Sequence, residues 1–206
     1  MNRIETIVSC ISSNDKIADI GCDQIEVGVL LAKKGIKSIA SDISINVVNE
    51  ARKKLEKLDL EEYIDLRVGN GLESIKQDDA NALVLAGMGA YTIIDILSNS
   101  NKIYNKIITI SNNNNDLLRD KMNDLGYKVD YEIIIKERKK YYNLIVFIPG
   151  NYNYTEKELL LGLNHKNLET FNEWKEYLLQ KYKKIQNESK DKNNKINTII
   201  KYLEDY

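Results

Sequence analysis

Hydrophobic and polar positions follow two different periods along residues 1–150. Short apolar runs, typical of buried strands, alternate with segments whose apolar residues recur every three or four positions, as in helices that face a core. Such alternation indicates an α/β fold with a doubly wound, mostly parallel sheet, and the last two apolar runs indicate an antiparallel edge hairpin. The pattern predicts strands at residues 16–20, 38–41, 64–68, 82–86, 106–110, 128–135 and 141–148, and helices at residues 2–12, 24–34, 45–58, 91–98 and 115–125.

The pattern changes after Pro149-Gly150. Between residues 155 and 206 there is no proline and Gly162 is the only glycine, while apolar residues keep helical spacing. This predicts a helical hairpin of about 25 plus 12 residues with a polar loop at 187–194. We therefore expect a first domain at residues 1–150 and a helical extension at 151–206 without a globular core of its own.

Composition limits the setting and the partners. The chain has 30 Lys and Arg against 31 Asp and Glu, a formal net charge of -1, so a polyanionic partner would have to meet a local basic patch. Its 2 cysteines are too few for a disulfide framework. No apolar run reaches the roughly 18 residues that a membrane span needs, and no secretory signal pattern opens the chain. We expect a soluble, cytoplasmic, monomeric protein.

Ala-Asp-Ile-Gly-Cys-Asp, at residues 18–23, carries the main functional signal. The first strand ends near Asp19, Gly21 allows a tight turn, and Asp23 adds a second carboxylate at the edge where open α/β sheets bind ligands. A pyrophosphate-binding turn would have glycine at the positions of Asp23 and Glu26. A carboxylate there favours a nucleotide-like ligand with a cationic centre, such as the sulfonium of S-adenosylmethionine. On spacing alone, an ordinary acidic strand-to-helix turn explains the motif equally well.

Further motifs follow the other strands. They are Gly69-Asn70-Gly71-Leu72, Leu85-Ala86-Gly87-Met88-Gly89-Ala90, Ser111-Asn112, a Lys-Tyr-Tyr-Asn hairpin and the helical tail. Together with the first motif, and over nearly the whole chain, they resemble the bacterial tRNA (adenine-N1)-methyltransferases that modify adenine 22 of the D-loop, the TrmK family. The resemblance implies a Rossmann-like class I methyltransferase fold, S-adenosylmethionine as methyl donor, a tRNA substrate and a coiled-coil-like C-terminal extension.

The resemblance also implies a cofactor site. Asp19 would orient the amino group of the methionine moiety, Asp42 would bind ribose hydroxyls, and Asn70 would contact adenine. The structural alternatives are a helix N-cap at Asp42 and a plain Asn-Gly turn at Asn70. The complete predicted set is Asp19, Gly21, Asp42, Asn70, Gly71, Ala86, Gly87 and Met88, and no Cys or His cluster suggests a metal.

Asp23 is the predicted catalytic residue. N1 of adenine has its own lone pair, so its methylation needs no prior deprotonation but leaves the ring cationic. A carboxylate near N6 would orient the base and stabilise that charge. The alternative is a helix N-terminal acid favoured by the helix dipole. By resemblance, Asn112 is the second predicted catalytic residue.

Four positions depart from the family pattern. Gln24 replaces a usual His and cannot titrate, Asn70 replaces an acid, Ala90 a glycine and Ser111 a proline. Loss of the proline predicts a looser turn before Asn112. This leaves open a methyltransferase that acts on another RNA base or on a protein. A non-catalytic RNA-binding protein of the same fold is the other alternative, although such a protein would be free to lose the motifs.

The last hairpin carries a local basic patch. Its cations lie beside two tyrosines, an arrangement suited to phosphate contact and base stacking, but a solvated turn explains it equally well. The patch consists of Lys136, Arg138, Lys139, Lys140, Tyr141 and Tyr142. Lysines of the tail have glutamate neighbours and favour a solvated helix face. His165, the only histidine, lies in the tail, and we expect no catalytic role for it.

Overall fold

A computed structural model of the chain describes residues 1–188 and 194–205. Its elements are α1 (Arg3–Ser9), β1 (Ile17–Ile20), α2 (Glu26–Ala32), β2 (Ser38–Asp42), α3 (Ile45–Glu56), β3 (Ile64–Val68), β4 (Ala82–Ala86), α4 (Ala90–Ser98), β5 (Lys106–Ile110), α5 (Asn115–Asp124), β6 (Tyr127–Glu137), β7 (Lys140–Pro149), α6 (Glu156–Leu161), α7 (Leu168–Glu188) and α8 (Asn194–Glu204). Every predicted strand and helix of the first 150 residues is present.

The strands form one seven-stranded sheet in the order β3-β2-β1-β4-β5-β7-β6. The first five strands pair in parallel, whereas β7 is antiparallel to both β5 and β6. This confirms the predicted α/β, Rossmann-like fold with an antiparallel edge hairpin. The chain order reverses between β1 and β4, which is the switch point where open parallel sheets bind ligands.

Helices cover both faces of the sheet. On one face α4 and α5 pack on the central strands, with Leu97 and Met122 against Leu85. On the other face α1 and α2 pack through Ile7 and Leu31. The central strands β4 and β5 are almost wholly buried, as expected for a parallel sheet covered on both sides. The core therefore fixes the carboxyl ends of β1 and β4 side by side.

Two elements differ in length from the prediction. Helix α1 ends at Ser9, where the Ser9 hydroxyl and the Cys10 thiol both donate to the carbonyl of Thr6 and compete with the helical pattern. The hairpin strands are longer than predicted, because the turn between them has only two residues, Arg138 and Lys139. Arg138 adopts a left-handed φ of 56°, which allows so short a turn.

The start of the tail is packed into the domain through a buried ion pair. Arg119 of α5 and Glu132 of β6 are fully buried and paired in a bidentate manner, with Nε to Oε1 at 2.8 Å and Nη2 to Oε2 at 2.7 Å. Arg119 Nη1 also donates to the carbonyl of Leu159 in α6 at 2.6 Å. A Cβ at Gly162 would lie 2.6 Å from the Glu132 carboxylate, and the φ of Gly162 is 80°. The tail helix therefore stops there.

In place of the predicted hairpin of two helices, the described residues of the tail form three helices, of 6, 21 and 11 residues. Phe171 and Trp174 of α7 pack on Ile134 of β6, and Leu203 of α8 packs on Leu161. The predicted loop at 187–194 falls mainly on residues outside the described part of the chain. The domain boundary at residue 150 stays a prediction. In the described ranges, no helix combines the length and apolar character that a membrane crossing requires.

Candidate active site

The turn after β1 is held tightly against β2. The amides of Gly21 and Cys22 both donate to the carbonyl of Ser41, at 2.8 and 3.0 Å. Gly21 has a φ of 73°, and the Met88 methyl would lie only 3.0 Å from a Cβ added there. The backbone conformation therefore favours glycine, and a larger residue would also displace the end of the Met88 side chain.

Two residues of the same turn have a backbone conformation that L-residues rarely adopt. Asp23 has a φ of 35°, and Ile25, which precedes α2, has a φ of 57°. Such conformations cost roughly 1–3 kcal/mol each and concentrate at functional sites. Asp23 occupies a position where a pyrophosphate motif has glycine, and its backbone is one that glycine would tolerate. A carboxylate at a strained position favours a functional role over the helix-dipole alternative.

Three carboxylates converge on this turn. Asp19 is 5% exposed, and burial raises the pKa of its carboxyl to about 7. The pKa of the Cys22 thiol is raised to about 12, first by burial and then by the charges of Asp19, Asp42 and Asp23. Asp23 and Asp42 therefore give this edge of the sheet a negative potential, to which Asp19 adds when it is ionised. A field of this sign favours a cationic ligand group and disfavours a pyrophosphate.

Asp42 lies at the end of β2, and it is not the N-cap of the next helix. Its Oδ1 accepts from the amide of Ser44 at 2.9 Å, and Ser44 is the N-cap, with its hydroxyl 3.5 Å from the amide of Val47. The N-cap alternative for Asp42 is therefore wrong. The carboxylate keeps a second oxygen with which to meet a ligand.

The loops after β4 and β5 are joined by Asn112. Its amide Nδ2 donates to the carbonyl of Gly87 at 2.6 Å, and its backbone amide donates to the carbonyl of Met88 at 3.0 Å. Gly87, with a φ of 84°, would have no atom within 4 Å of an added Cβ, so this side of the loop is open. Because the Asn112 nitrogen is engaged, its side chain can offer a substrate an acceptor oxygen.

The turn before Asn112 is not loosened by Ser111, as the sequence had led us to expect. The Ser111 hydroxyl donates to the carbonyl of Asn113 at 2.7 Å and lies 3.4 Å from the Asn113 amide. A serine turn thus replaces the rigidity that proline would give. The replacement of proline by Ser111 therefore no longer argues for a substrate other than the one that the resemblance implies.

A cavity of about 330 Å³ lies between the β1 turn, the β4 loop and α1. Five predicted site residues line it, namely Asp19, Gly21, Asp23, Ala86 and Gly87. Met88, Asp42 and Asn112 adjoin these residues through the contacts described above. Asn70 and Gly71 instead line a larger cleft of about 860 Å³ between the β3–β4 loop and the end of α4. The backbone amide of Asn70 lies 3.3 Å from the Glu73 carboxylate, and Gly71 has a φ of 56°. Both features are typical of an ordinary turn.

Arg3 is a site residue that sequence reasoning missed. Its half-buried side chain lines the 330 Å³ cavity, where the other charged lining residues are all acidic. Nε lies 2.6 Å from Glu137, and the guanidinium lies 4.5 Å from the centroid of the Tyr142 ring. No spacing in the sequence connects α1 with the β6–β7 hairpin, so only the packing of α1 reveals this cation.

The cavity is thus lined by one guanidinium, that of Arg3, and by several carboxylates. This arrangement complements a zwitterionic amino-acid end next to a cationic centre. Across residues 1–188 and 194–205, no three His, Cys, Asp or Glu side chains are grouped so that they could hold a metal ion. The geometry supports binding of a small charged ligand at the switch point, beside a loop that is open on one side.

Comparisons with known proteins agree with this geometry. Residues 1–145 match a family model described as a methyltransferase domain. Over 154 residues the chain is 30% identical to the tRNA (adenine(22)-N(1))-methyltransferase of Bacillus subtilis strain 168, in an alignment that covers 72% of this chain and 65%, just under two thirds, of that protein.

Solved structures extend the similarity into the tail. The structure of M. capricolum TrmK in complex with S-adenosyl-homocysteine has a TM-score of 0.82 and 28% identity, covering 98% of this chain and 96% of that one. The B. subtilis m1A22 tRNA methyltransferase TrmK has a TM-score of 0.77 and 24% identity, covering 98% and 93%, and shows the shared fold.

Proposed function

This chain belongs to the methyltransferase-domain family, and we propose that it transfers a methyl group from S-adenosylmethionine to N1 of an adenine in the D-loop of tRNA, at position 22. The observation that carries the proposal is the convergence of Asp19, Asp23 and Asp42 around a glycine turn at the switch point of the sheet. The B. subtilis relative is a tRNA (adenine(22)-N(1))-methyltransferase, and the M. capricolum relative binds S-adenosyl-homocysteine.

The residues present fit the cofactor. Asp19 would pair with the ammonium of the methionine moiety and Arg3 with its carboxylate, since both side chains line the same cavity. Asp42 would accept from the ribose hydroxyls, and Asn70 and Gly71, which follow β3 at the carboxyl edge of the sheet, would meet the adenine. When bound, the cofactor supplies a methyl group that is electrophilic because it is attached to a sulfonium.

Asp23 and Asn112 would act on the substrate base. N1 of adenine attacks through its own lone pair, so the chain needs no general base, and the non-titrating Gln24 is no obstacle. Asp23 is exposed at the mouth of the cavity and would accept from N6 and stabilise the cationic ring. Asn112 would offer its Oδ1 to the same amino group while its Nδ2 holds the Gly87 loop.

Methylation of a defined transcript tests this function. The protein is incubated with S-adenosylmethionine and unmodified tRNA, and with the same tRNA carrying guanine at position 22, and nucleosides are mapped by mass spectrometry. We expect about one N1-methyladenosine per tRNA and none in the substituted control. Methylation of another base or of a protein, or S-adenosylhomocysteine binding without any methylation, would support the alternatives instead.

A further inference from the structure

The tip of the β6–β7 hairpin lies on the same edge of the sheet as the candidate active site. Strand β7 is antiparallel to β5, with Leu144 opposite Ile110, the last residue of β5. The chain before Leu144 therefore extends beyond the carboxyl ends of the parallel strands. Lys140 is four residues earlier, which corresponds to roughly 14 Å of extended strand. The hairpin thus projects past the mouth of the cavity.

Three consecutive cations occupy this tip. Arg138, Lys139 and Lys140 are all exposed, and none of them makes an ion pair with a carboxylate in the described part of the chain. The other cation of the patch, Lys136, is neutralised by Glu173 at 2.5 Å. Three like charges at the turn and the start of β7 repel one another, and an anionic partner would offset that repulsion.

The tyrosines of the patch are already engaged. Tyr141 packs against Tyr177 of α7 with ring centroids 5.2 Å apart, and Tyr142 lies under the guanidinium of Arg3. Base stacking by these rings, one of the roles that the sequence suggested, would require breaking those contacts. Phosphate contact by the tip cations requires no such change.

The electrostatics of the site explain why cations are needed at this edge. Asp23 and Asp42, together with the ionised fraction of Asp19, make the edge negative, and the chain as a whole has a formal net charge of -1. An RNA backbone approaching the cavity would be repelled unless nearby cations offset the carboxylates. Arg3 joins the two regions, because it lines the cavity and pairs with Glu137 next to the tip.

Other cationic surfaces fit this task less well. Two lysines of the tail are paired, with Lys183 2.7 Å from Glu204 and Lys184 3.9 Å from Glu188. The exposed Lys33, Lys34 and Lys37 lie between α2 and β2, at the amino ends of the strands, so they are at the edge opposite the site.

We propose that Arg138, Lys139 and Lys140 hold the sugar–phosphate backbone of the RNA substrate while the target base enters the site. This proposal rests on the proposed function. In this proposal the hairpin contacts the phosphates of the RNA, whereas Asp23 and Asn112 contact the base.

The salt dependence of tRNA binding tests the proposal. The protein, loaded with S-adenosylhomocysteine, is titrated with unmodified tRNA at several salt concentrations. One triple variant carries Arg138→Gln, Lys139→Gln and Lys140→Gln. The matched control removes the same charge at the opposite edge, with Lys33→Gln, Lys34→Gln and Lys37→Gln. Calorimetry with S-adenosylhomocysteine reports whether each variant keeps its fold.

Each lost phosphate contact should reduce the slope of log K against log salt by about 0.7–0.9. We therefore expect the hairpin variant to lose about 2 from the slope and about tenfold to hundredfold in affinity near 0.15 M salt. The control variant should stay within about threefold of the wild type, since it alters only the overall charge.

Several outcomes would overturn the proposal. A hairpin variant with the wild-type slope would show that its cations contact no phosphate, and equal losses in both variants would show an effect of net charge alone. If the wild type binds S-adenosylhomocysteine but no tRNA at low salt, the proposed function fails and the hairpin proposal fails with it. A wild type that binds and methylates tRNA with an unaffected hairpin variant overturns only the hairpin proposal.

Discussion

Asp19 should make cofactor binding depend on pH. Burial raises the pKa of this carboxyl from 3.8 to about 7. At 1.36 kcal/mol per pH unit, ionising it in the unliganded protein costs about 4 kcal/mol more than in the unfolded chain. Because the folded pKa is the higher one, the stability contribution of Asp19 is complete below about pH 4 and is lost as the pH rises through about 7.

The empty protein favours the protonated form of Asp19, whereas a bound ligand ammonium favours the ionised form, because it pairs only with a carboxylate. With a pKa of about 7, the ionised fraction of Asp19 in the free protein is about 1% at pH 5 and about half at pH 7. The affinity for S-adenosylhomocysteine should therefore rise about fiftyfold between these values, with about one proton released per ligand at pH 6. The ammonium of the ligand stays protonated over this window, since α-amino groups titrate near 8.

Calorimetry between pH 5 and 7, in buffers of different ionisation enthalpy, measures both quantities. In Asp19→Asn the affinity at pH 7 should fall about tenfold or more, and the pH dependence should disappear. A slope that remains in this variant would come from other titrating groups of the protein or the ligand. A wild-type affinity that is flat within about twofold, or an equal slope in Asp19→Asn, would refute the assignment of Asp19 to the ammonium.

Three further predictions concern single side chains. Arg3→Ala should weaken S-adenosylhomocysteine about tenfold to hundredfold but leave 5′-methylthioadenosine, which lacks the amino-acid end, within about twofold; equal losses in calorimetry would place the effect in the fold. Asp23→Gly should raise the free energy of unfolding in urea by about 1 kcal/mol by relieving the positive φ, yet slow single-turnover methyl transfer about a hundredfold; a wild-type rate would reduce Asp23 to a helix-terminal acid. Arg119→Met should cost about 3–5 kcal/mol in the same urea assay by leaving Glu132 charged and buried, and adding Glu132→Leu should recover most of it; equal stabilities of the single and double variants would contradict this account.

The fold followed from sequence wherever periodicity was unambiguous. Strand β5 was predicted at its observed bounds, because its three buried isoleucines lie between polar segments. The tail was harder to predict. Its break at Gly162 depends on the Glu132 carboxylate, which belongs to a strand 30 residues earlier (162 − 132) and occupies the space that a side chain would need. A helical pattern records which residues face a core, but it does not record a contact of this kind.

The sequence predicted those residues of the candidate site that lie close together along the chain, and it missed Arg3, which only the packing brings to them. Asp19, Gly21 and Asp23 lie within one turn, and the parallel sheet brings Gly87 beside them without further information. Arg3 reaches the cavity only because α1 packs next to the β6–β7 hairpin. The hydrogen bond from Asn112 to Gly87 joins two loops through side-chain geometry, which residue order does not specify.

Several energetically unfavourable features lie at the edge of the sheet that carries the candidate site. Asp19 is a buried carboxylate and Asp23 and Ile25 have positive φ, whereas the buried Arg119 and Glu132 elsewhere in the core satisfy one another. Stability alone would favour glycine at position 23 and an uncharged residue at position 19. An ammonium at Asp19 and a cationic base at Asp23 would convert both costs into binding and transition-state stabilisation. In the proposed reaction, the interaction at Asp23 would strengthen as the base becomes cationic, which is what catalysis by differential binding requires.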